Sequence, residues 1–331
     1  MNRHLLLSTL LVLCATMHAD DTLTWRVAKG TTLARSFESK AQVELQSMSV
    51  KVDDEEQEAG PTPEMTVNQA STYEFSDTIE AIEHGEPAKI VRHFTKISSM
   101  RSRTMKQPDE EALEEESALE SELEGKSVVF AREGSSWTAK WAEESDADEK
   151  LLKGLEAEVD FRSFLPDKEV SVDDSWELEA STFLNFVRPG GHLSRKAEGE
   201  DAARVNAREA MLDDSIEGKC TATYRGTREE AGVKVGVIAL VAEVTLHSSE
   251  DIDNGEAGVG ESKLQLSYKL EGEILWDVKG GFARSAALSG SLELTQTHHV
   301  TAKSSEGEHE FEQVMTFSGE TSYKAAYEPK S

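Results

Sequence analysis

The sequence predicts a mainly β protein: a strongly curved, long-stranded antiparallel sheet, half-barrel or sandwich-like, built as two pseudo-repeats with a few covering helices. Three observations lead there. Apolar and polar residues alternate with period two over runs far longer than an ordinary strand; compact turn sequences separate the runs; and segments with helical spacing are few.

Ahead of the first run, Asn2, Arg3 and His4 precede the apolar stretch Leu5 to Leu13 and small residues ending at Ala19. That is the pattern of a secretory leader over 1–19. The stretch is too short for a bilayer, which needs about 20 apolar residues, and no later segment approaches that length. A lipid-modified Cys14 would need a small residue before it and has Leu13, so cleavage after Ala19 is the expected processing. Cys220 is then the one cysteine remaining, no internal disulfide can form, and the fold must stand on its core. Its place in the alternating run Cys220, Ala222, Tyr224 predicts a buried, small apolar residue.

The formal charge is -29. Nucleic acid is excluded as a natural partner and an anionic membrane surface is disfavoured, whereas cations or basic proteins remain open. Solubility alone also accounts for such acidity.

The strands follow in order. Leu33, Phe37, Ala41, Val43 and Leu45 share one parity. Tyr73, Phe75, Ile79 and Ala81 form a strand that turns at His84-Gly85-Glu86-Pro87 and returns through Ile90 to Ile97; Cys220, Ala222 and Tyr224 do likewise, turning at Glu230-Ala231-Gly232 and returning through Val233 to Leu246. A hairpin from Glu124-Gly125-Lys126 through Phe130, Gly134 and Trp141 has its counterpart from Glu271-Gly272-Glu273 through Trp276 and Gly280-Gly281 to Phe282. Both correspondences keep an offset of about 145 to 147 residues, which suggests an internal repeat. The expected organisation is a first β-rich half over 20–145 and a second over 146–331, packed as one unit.

Leu264, Leu266, Tyr268, Leu270, Ile274 and Trp276, and later Phe311, Met315, Phe317 and Tyr323, extend the pattern toward strands of twenty residues. Twenty residues at about 3.3 Å each span roughly 65 Å, against a radius of gyration near 20 Å for a compact chain of this size. The sheet must therefore bend, with Gly236, Gly290 and the Gly280-Gly281 pair as the expected places. Val233 to Leu246, apolar on both parities, is expected at the centre with both faces covered. Helices are predicted over Asp148–Phe164, from the spacing of Leu151, Leu152, Leu155 and Val159, and over Asp201–Ile216, from Ala202, Val205, Leu212 and Ile216. Each would cover the sheet. The acidic stretch Asp53–Pro63 reads as a linker, and Asp109–Glu124 as a frayed surface helix or disorder.

No nucleophile elbow, P-loop, dinucleotide fingerprint or complete zinc motif is present; His309-Glu310-Phe311-Glu312-Gln313 fails at its last position. Asp251, Asp253, Asn254, Gly255 and Glu256 open like a calcium loop, but the glycine falls one place early and Ser262 stands where the closing glutamate belongs. His298 and His299 are adjacent and would point to opposite faces of a strand. No catalytic residue, metal ligand or cofactor is predicted. Trp137, Trp141, Trp176 and Trp276 sit on alternating strands, where a core role comes first, and they would line any cavity that a curved sheet encloses.

The run Phe164-Leu165-Pro166-Asp167-Lys168-Glu169-Val170-Ser171-Val172-Asp173-Asp174-Ser175-Trp176 resembles a signature of uncharacterised exported β-rich bacterial proteins of the planctomycete type, which usually carry glycine where Asp173 stands here. The resemblance implies a bacterial source and a periplasmic or cell-surface location, and transfers no catalytic residue. In fold alone, a bent sheet against a plug is also similar to the half-barrel lipid carriers of the bacterial envelope. The expected function is a noncatalytic envelope binding protein holding an apolar, lipid-like ligand on the concave face. The alternative is a structural or protein-interaction module meeting another envelope protein, and a hydrolase with dispersed residues is third.

Overall fold

The computed structural model describes residues 23–57, 62–107, 111–143, 147–158, 160–196, 215–253, 259–304 and 307–330. The leader over 1–19, all but the last residues of the helix expected at Asp201–Ile216, and Asn254 to Glu256 lie outside them.

The strands are β1 (Thr32–Val52), β2 (Glu55–Glu56), β3 (Glu64–Glu83), β4 (Glu86–Lys106), β5 (Leu113–Ser121), β6 (Ser127–Glu133), β7 (Ser136–Trp141), β8 (Ser175–Leu178), β9 (Arg195–Lys196), β10 (Ile216–Glu230), β11 (Val233–Asp253), β12 (Val259–Asp277), β13 (Phe282–Ser304) and β14 (Gly307–Lys330). They form one antiparallel sheet in the order β7-β6-β4-β3-β1-β14-β13-β12-β11-β10-β8, with β5 alongside the outer part of β4. The two halves of the chain are thus joined where β1 pairs with β14 along almost its full length. Seven strands run to between 19 and 24 residues, the length the alternation predicts.

Bends enter where the ladder is irregular. Bulges interrupt β1 at Leu45/Ser47, β3 and β4 at Glu74/Phe75, and β10 at Tyr224/Thr227. Gly290 and Gly319 lie against neighbouring backbone so closely that an added Cβ would sit 2.1 Å from the Lys269 carbonyl oxygen and 1.9 Å from that of Gln42. Only glycine permits this approach, which lets β13 and β14 coil sharply. The Gly280-Gly281 pair instead belongs to the turn between β12 and β13.

One expected helix is not formed as predicted. The Asp148–Phe164 stretch contains only short 3-10 turns at Glu149–Leu152 and Arg162–Phe164. Gly154 at φ +77° and Phe161 at φ 55° take left-handed conformations that an α-helix cannot include, and Leu155 makes a bridge to Gly191. Ile216, the last residue of the second expected helix, begins β10. The α-helix of the described residues is a single turn, α1 (Leu184–Val187). Asp109–Glu124 also differs from expectation, since Leu113–Ser121 is strand β5 on the outer part of β4. Its glutamates lie opposite Thr104, Arg103, Ser102 and Ser98 of β4, with Glu115 facing Arg103. Nor is Val233–Leu246 central: β11 lies third from the β8 edge. Its second face is covered only near its start, where Val235 and Val237 pack on Leu275, while Val241 is 46% exposed.

The described residues of 147–174 and 179–193 fill the concave face as a plug made largely of turns. Phe161 meets Phe37 of β1 and Tyr327 of β14, Phe183 meets Tyr268 of β12 and Tyr323 of β14, and Phe186 stacks between Phe161 and Phe164. Glu158 accepts a hydrogen bond from Trp137 of β7, and the Phe164 carbonyl accepts one from Trp176 of β8. Those strands are opposite ends of an eleven-strand path, about 48 Å apart if the sheet were flat. Six residues of chain cover at most about 20 Å, so with two side-chain lengths added the plug reaches both edges only because the sheet bends around it.

Candidate functional site

Cross-strand partners point to the same face, so the ladder can be read row by row. Below the plug, the row Phe37, Tyr73 and Ile97 continues into Ala325, Ala286, Ile274 and Ile238, all fully or nearly buried. Further along the strands, Tyr323 one row on and Tyr268 three rows on mark the end of the plug. Burial pushes both hydroxyls above the usual phenol range, and they hydrogen-bond to one another.

Beyond these tyrosines the same face stays largely apolar but is only partly covered: Leu246, Leu264, Phe317 and Met65 remain buried, their neighbours are half-buried, and a row of Gln313, His298 and Ser262 interrupts the apolar surface before the tips. Leu246, Leu266, Leu294, Phe317 and Leu45 form one row across five strands. Leu264, Gln296, Met315 and Met48 form the next, and Val300, Phe311 and Val52 lie at the tips. On the other side of β1, Val67 and Met65 continue the surface to Arg103 and Met105 of β4 and to Leu113 of β5. Leu45, Leu266, Leu294, Met48, Met315, Val67 and Met105 are half-buried, while Phe311 is 40% and Leu113 51% exposed. This distal concave surface is the candidate site. Apolar side chains left partly in water over such an area are the mark of a surface that meets something else.

Its support is a buried ion cluster under the plug. Asp77 on β3 is opposite Arg92 on β4, which donates from Nε and Nη2 to the two carboxylate oxygens at 2.8 and 2.9 Å. Arg92 also donates to the Glu156 and Ala157 carbonyls at 2.7 and 2.9 Å, tying the plug to the sheet. Its guanidinium lies over the rings of Phe75 and Phe130. Arg35 of β1 brings Nε to 3.3 Å from Asp77 without hydrogen-bond alignment and stacks on Tyr327. Burial alone would raise the Asp77 carboxyl; the charges of Arg92 and Arg35 overcome it and hold it below the ordinary value. The cluster touches no cleft and acts as a clamp.

The predicted cavity tryptophans are distributed around the plug rather than gathered on one opening. Trp137 and Trp141 share the inner face of β7, Trp176 lies on β8 and packs on the plug, and Trp276 of β12 is fully buried with Nε1 donating to the Thr24 carbonyl at 3.3 Å. Trp25, in the segment before β1, has the Arg162 guanidinium over its ring. Hydrogen bonding of Trp137 and Trp176 to plug residues shows what the side chains do: they fasten the cover. The distal rows were missed as a site, although the long odd-parity run from Leu33 to Leu45 and on to Phe311–Phe317 carried their signal.

Cys220 is 2% exposed, and burial pushes its thiol up to about 11. His298 bonds Gln296 on one face and His299 approaches Glu310 on the other. Among the described residues no group of three or more His, Cys, Asp or Glu side chains is placed to hold a metal ion, and no helix is long and apolar enough to cross a membrane. On the opposite face of the sheet, a shallow, open trough of about 530 Å³ crosses β4, β3, β1, β14 and β13 and is floored by Met100, Ala70, Lys40, Ser322 and Ser289.

The signature run proves to be a docking turn. Asp173, at φ 72°, donates its N–H to the Tyr224 carbonyl, Tyr224 donates to Asp174, and Asp174 accepts from the Ser171 N–H. Val170 is buried and Trp176 anchors to the plug. The left-handed backbone explains why glycine suits the position of Asp173.

The fold and these surfaces define an open, curved antiparallel sheet wrapped on an internal aromatic plug, with an apolar surface beyond it. No protein-family profile matches the chain, and no curated protein matches it. Among solved structures, a chain of the cryo-EM structure of the ETEC pilotin–secretin AspS–GspD complex is matched at 8% identity and a TM-score of 0.15, covering 92% of this chain and 51% of that one. The chain thus spans about half the length of that neighbour, and so low a TM-score carries no argument.

Proposed function

We propose that this chain is a noncatalytic binding protein of the cell envelope that holds an apolar, lipid-like ligand on the distal concave face of its sheet. The observation that carries the reading is the continuation of the concave apolar rows past the plug, where half-buried Leu45, Met48, Leu266, Leu294 and Met315 flank buried Leu246, Leu264 and Phe317, ending in exposed Phe311 and Leu113. Covering about 400 Å² of such surface would contribute roughly 10 kcal/mol before the costs of ordering a ligand. The envelope assignment rests on the leader pattern over 1–19 and on the family resemblance.

Native mass spectrometry of the protein purified from its own envelope, followed by organic extraction, tests the proposal. A reproducible added mass in the lipid range supports it. A clean unliganded mass, with no rise in melting temperature on adding lipid, overturns it. The second reading, a structural or protein-interaction module, is favoured by the plug itself, which fills the basal concave face with the chain's own Phe161, Phe164, Phe183 and Phe186.

A further inference from the structure

The apolar rows of the concave face end, on the β4 side, in two arginines. Arg101 and Arg103 are two residues apart on β4, opposite Gln69 and Val67 of β3, and therefore on the concave face. The chain as a whole carries 64 acidic residues against 35 basic ones, so two cations at the margin of its apolar surface run against the general charge. Arg103 has its Nε shielded from solvent with no hydrogen-bond partner. Its Nη1 lies 3.9 Å from Glu115 across the β4–β5 ladder, at the outer limit of an ion pair, and Nη2 reaches only the Met105 sulfur at 3.8 Å. A fork of donors so weakly engaged, next to Val67 and Met105, is complementary to a planar anion carried on an apolar chain.

Resting on the binding reading above, we propose that the ligand is a single-chain fatty acid, its carboxylate at Arg103 with Arg101 contributing charge, and its acyl chain across β3, β1, β14 and β13 over half-buried Val67, Leu45 and Leu294, with buried Phe317 beneath it. Four strands at about 4.8 Å each, crossed along the Leu45–Phe317–Leu294 row and stepping over one row to Val67, give roughly 15 to 20 Å of floor. That matches the length of a 14- to 16-carbon chain. Glu115 is displaced from its distant contact when the carboxylate arrives, so no buried charge is left unpaired.

The test compares palmitic acid with hexadecanol, which share the chain and differ in the head, on the full chain at pH 8. Binding is read by native mass spectrometry and by melting temperature. The expected result is about tenfold tighter binding of the acid, the usual scale of a charge-assisted pair. Arg103→Gln should erase that preference while leaving hexadecanol binding unchanged, and Arg103→Lys should retain part of it. Equal binding of acid and alcohol by the unaltered protein overturns the headgroup assignment but leaves the apolar site standing. Failure of both to bind overturns the binding reading itself. A preference that survives in Arg101→Gln/Arg103→Gln, with melting temperature unchanged, also overturns the assignment.

Discussion

At the scale of single residues, the most consequential group is Asp77. It is fully buried between Arg92 and Arg35, so removing its charge leaves two cations without their counter-ion in the core. Breaking a buried pair from one side costs about 3–5 kcal/mol, and Asp77→Asn should lower the urea midpoint accordingly. The carboxyl's folded-state value lies below its ordinary one. Its contribution is therefore fully present above the unfolded value, near 4, and is lost as pH falls through the folded value. Acid titration followed by circular dichroism should show a limb below about pH 4 that flattens in Asp77→Asn. Cys220 gives an independent check on packing. With its thiol raised to about 11 and its surface buried, it should resist iodoacetamide at pH 8 for hours and be alkylated fully in 6 M guanidinium. Rapid labelling of the folded protein would contradict the packing around β10.

At the scale of elements, the Val170–Trp176 turn is the part whose chemistry the backbone dictates. Asp173 at φ 72° sits in a region open to Asp, Asn and Gly and closed to β-branched side chains. Asp173→Gly should change stability by less than about 0.5 kcal/mol, since strain relieved offsets chain freedom gained, whereas Asp173→Val should cost about 1–2 kcal/mol. Equal urea midpoints for the two variants would refute the role assigned to that backbone. The strands were legible from the sequence because period-two alternation has no rival explanation over twenty residues. The plug was misread because Leu151, Leu152 and Leu155 mimic a helical stripe, although Gly154 between them was a visible warning. β5 was hidden by its glutamates, which lie opposite Thr104, Arg103, Ser102 and Ser98 of a strand that composition alone does not bring near. The distal site was half legible. Its apolar rows are written in the alternation, but which part of each strand the plug leaves uncovered depends on a turn-rich segment whose path only the fold reveals.

At the scale of the whole molecule, acidity and shape act together. A chain of net charge -29 wrapped into one sheet repels itself, and the surface pairs that answer this, such as Arg228 with Glu273 and Lys219 with Glu177, are largely exposed and each worth little. Screening should therefore help the fold more than it harms these pairs. Raising NaCl from 20 to 300 mM at pH 7 should increase the melting temperature by several degrees. A decrease would mean that the surface pairs outweigh the general repulsion.

The pairing of β1 with β14 places the earliest and latest described strands side by side in the middle of the sheet. A chain delivered from its N-terminal end therefore forms two partial sheets before the piece that unites them arrives. Until β14 emerges, β1 ends one and β13 ends the other, each a long edge with its amides and carbonyls unanswered. Loop closure across nearly the whole chain makes the final zipping slow. A nascent or clipped chain lacking only that strand would lose far more than 24 residues' worth of structure: it would present two adhesive borders to its neighbours.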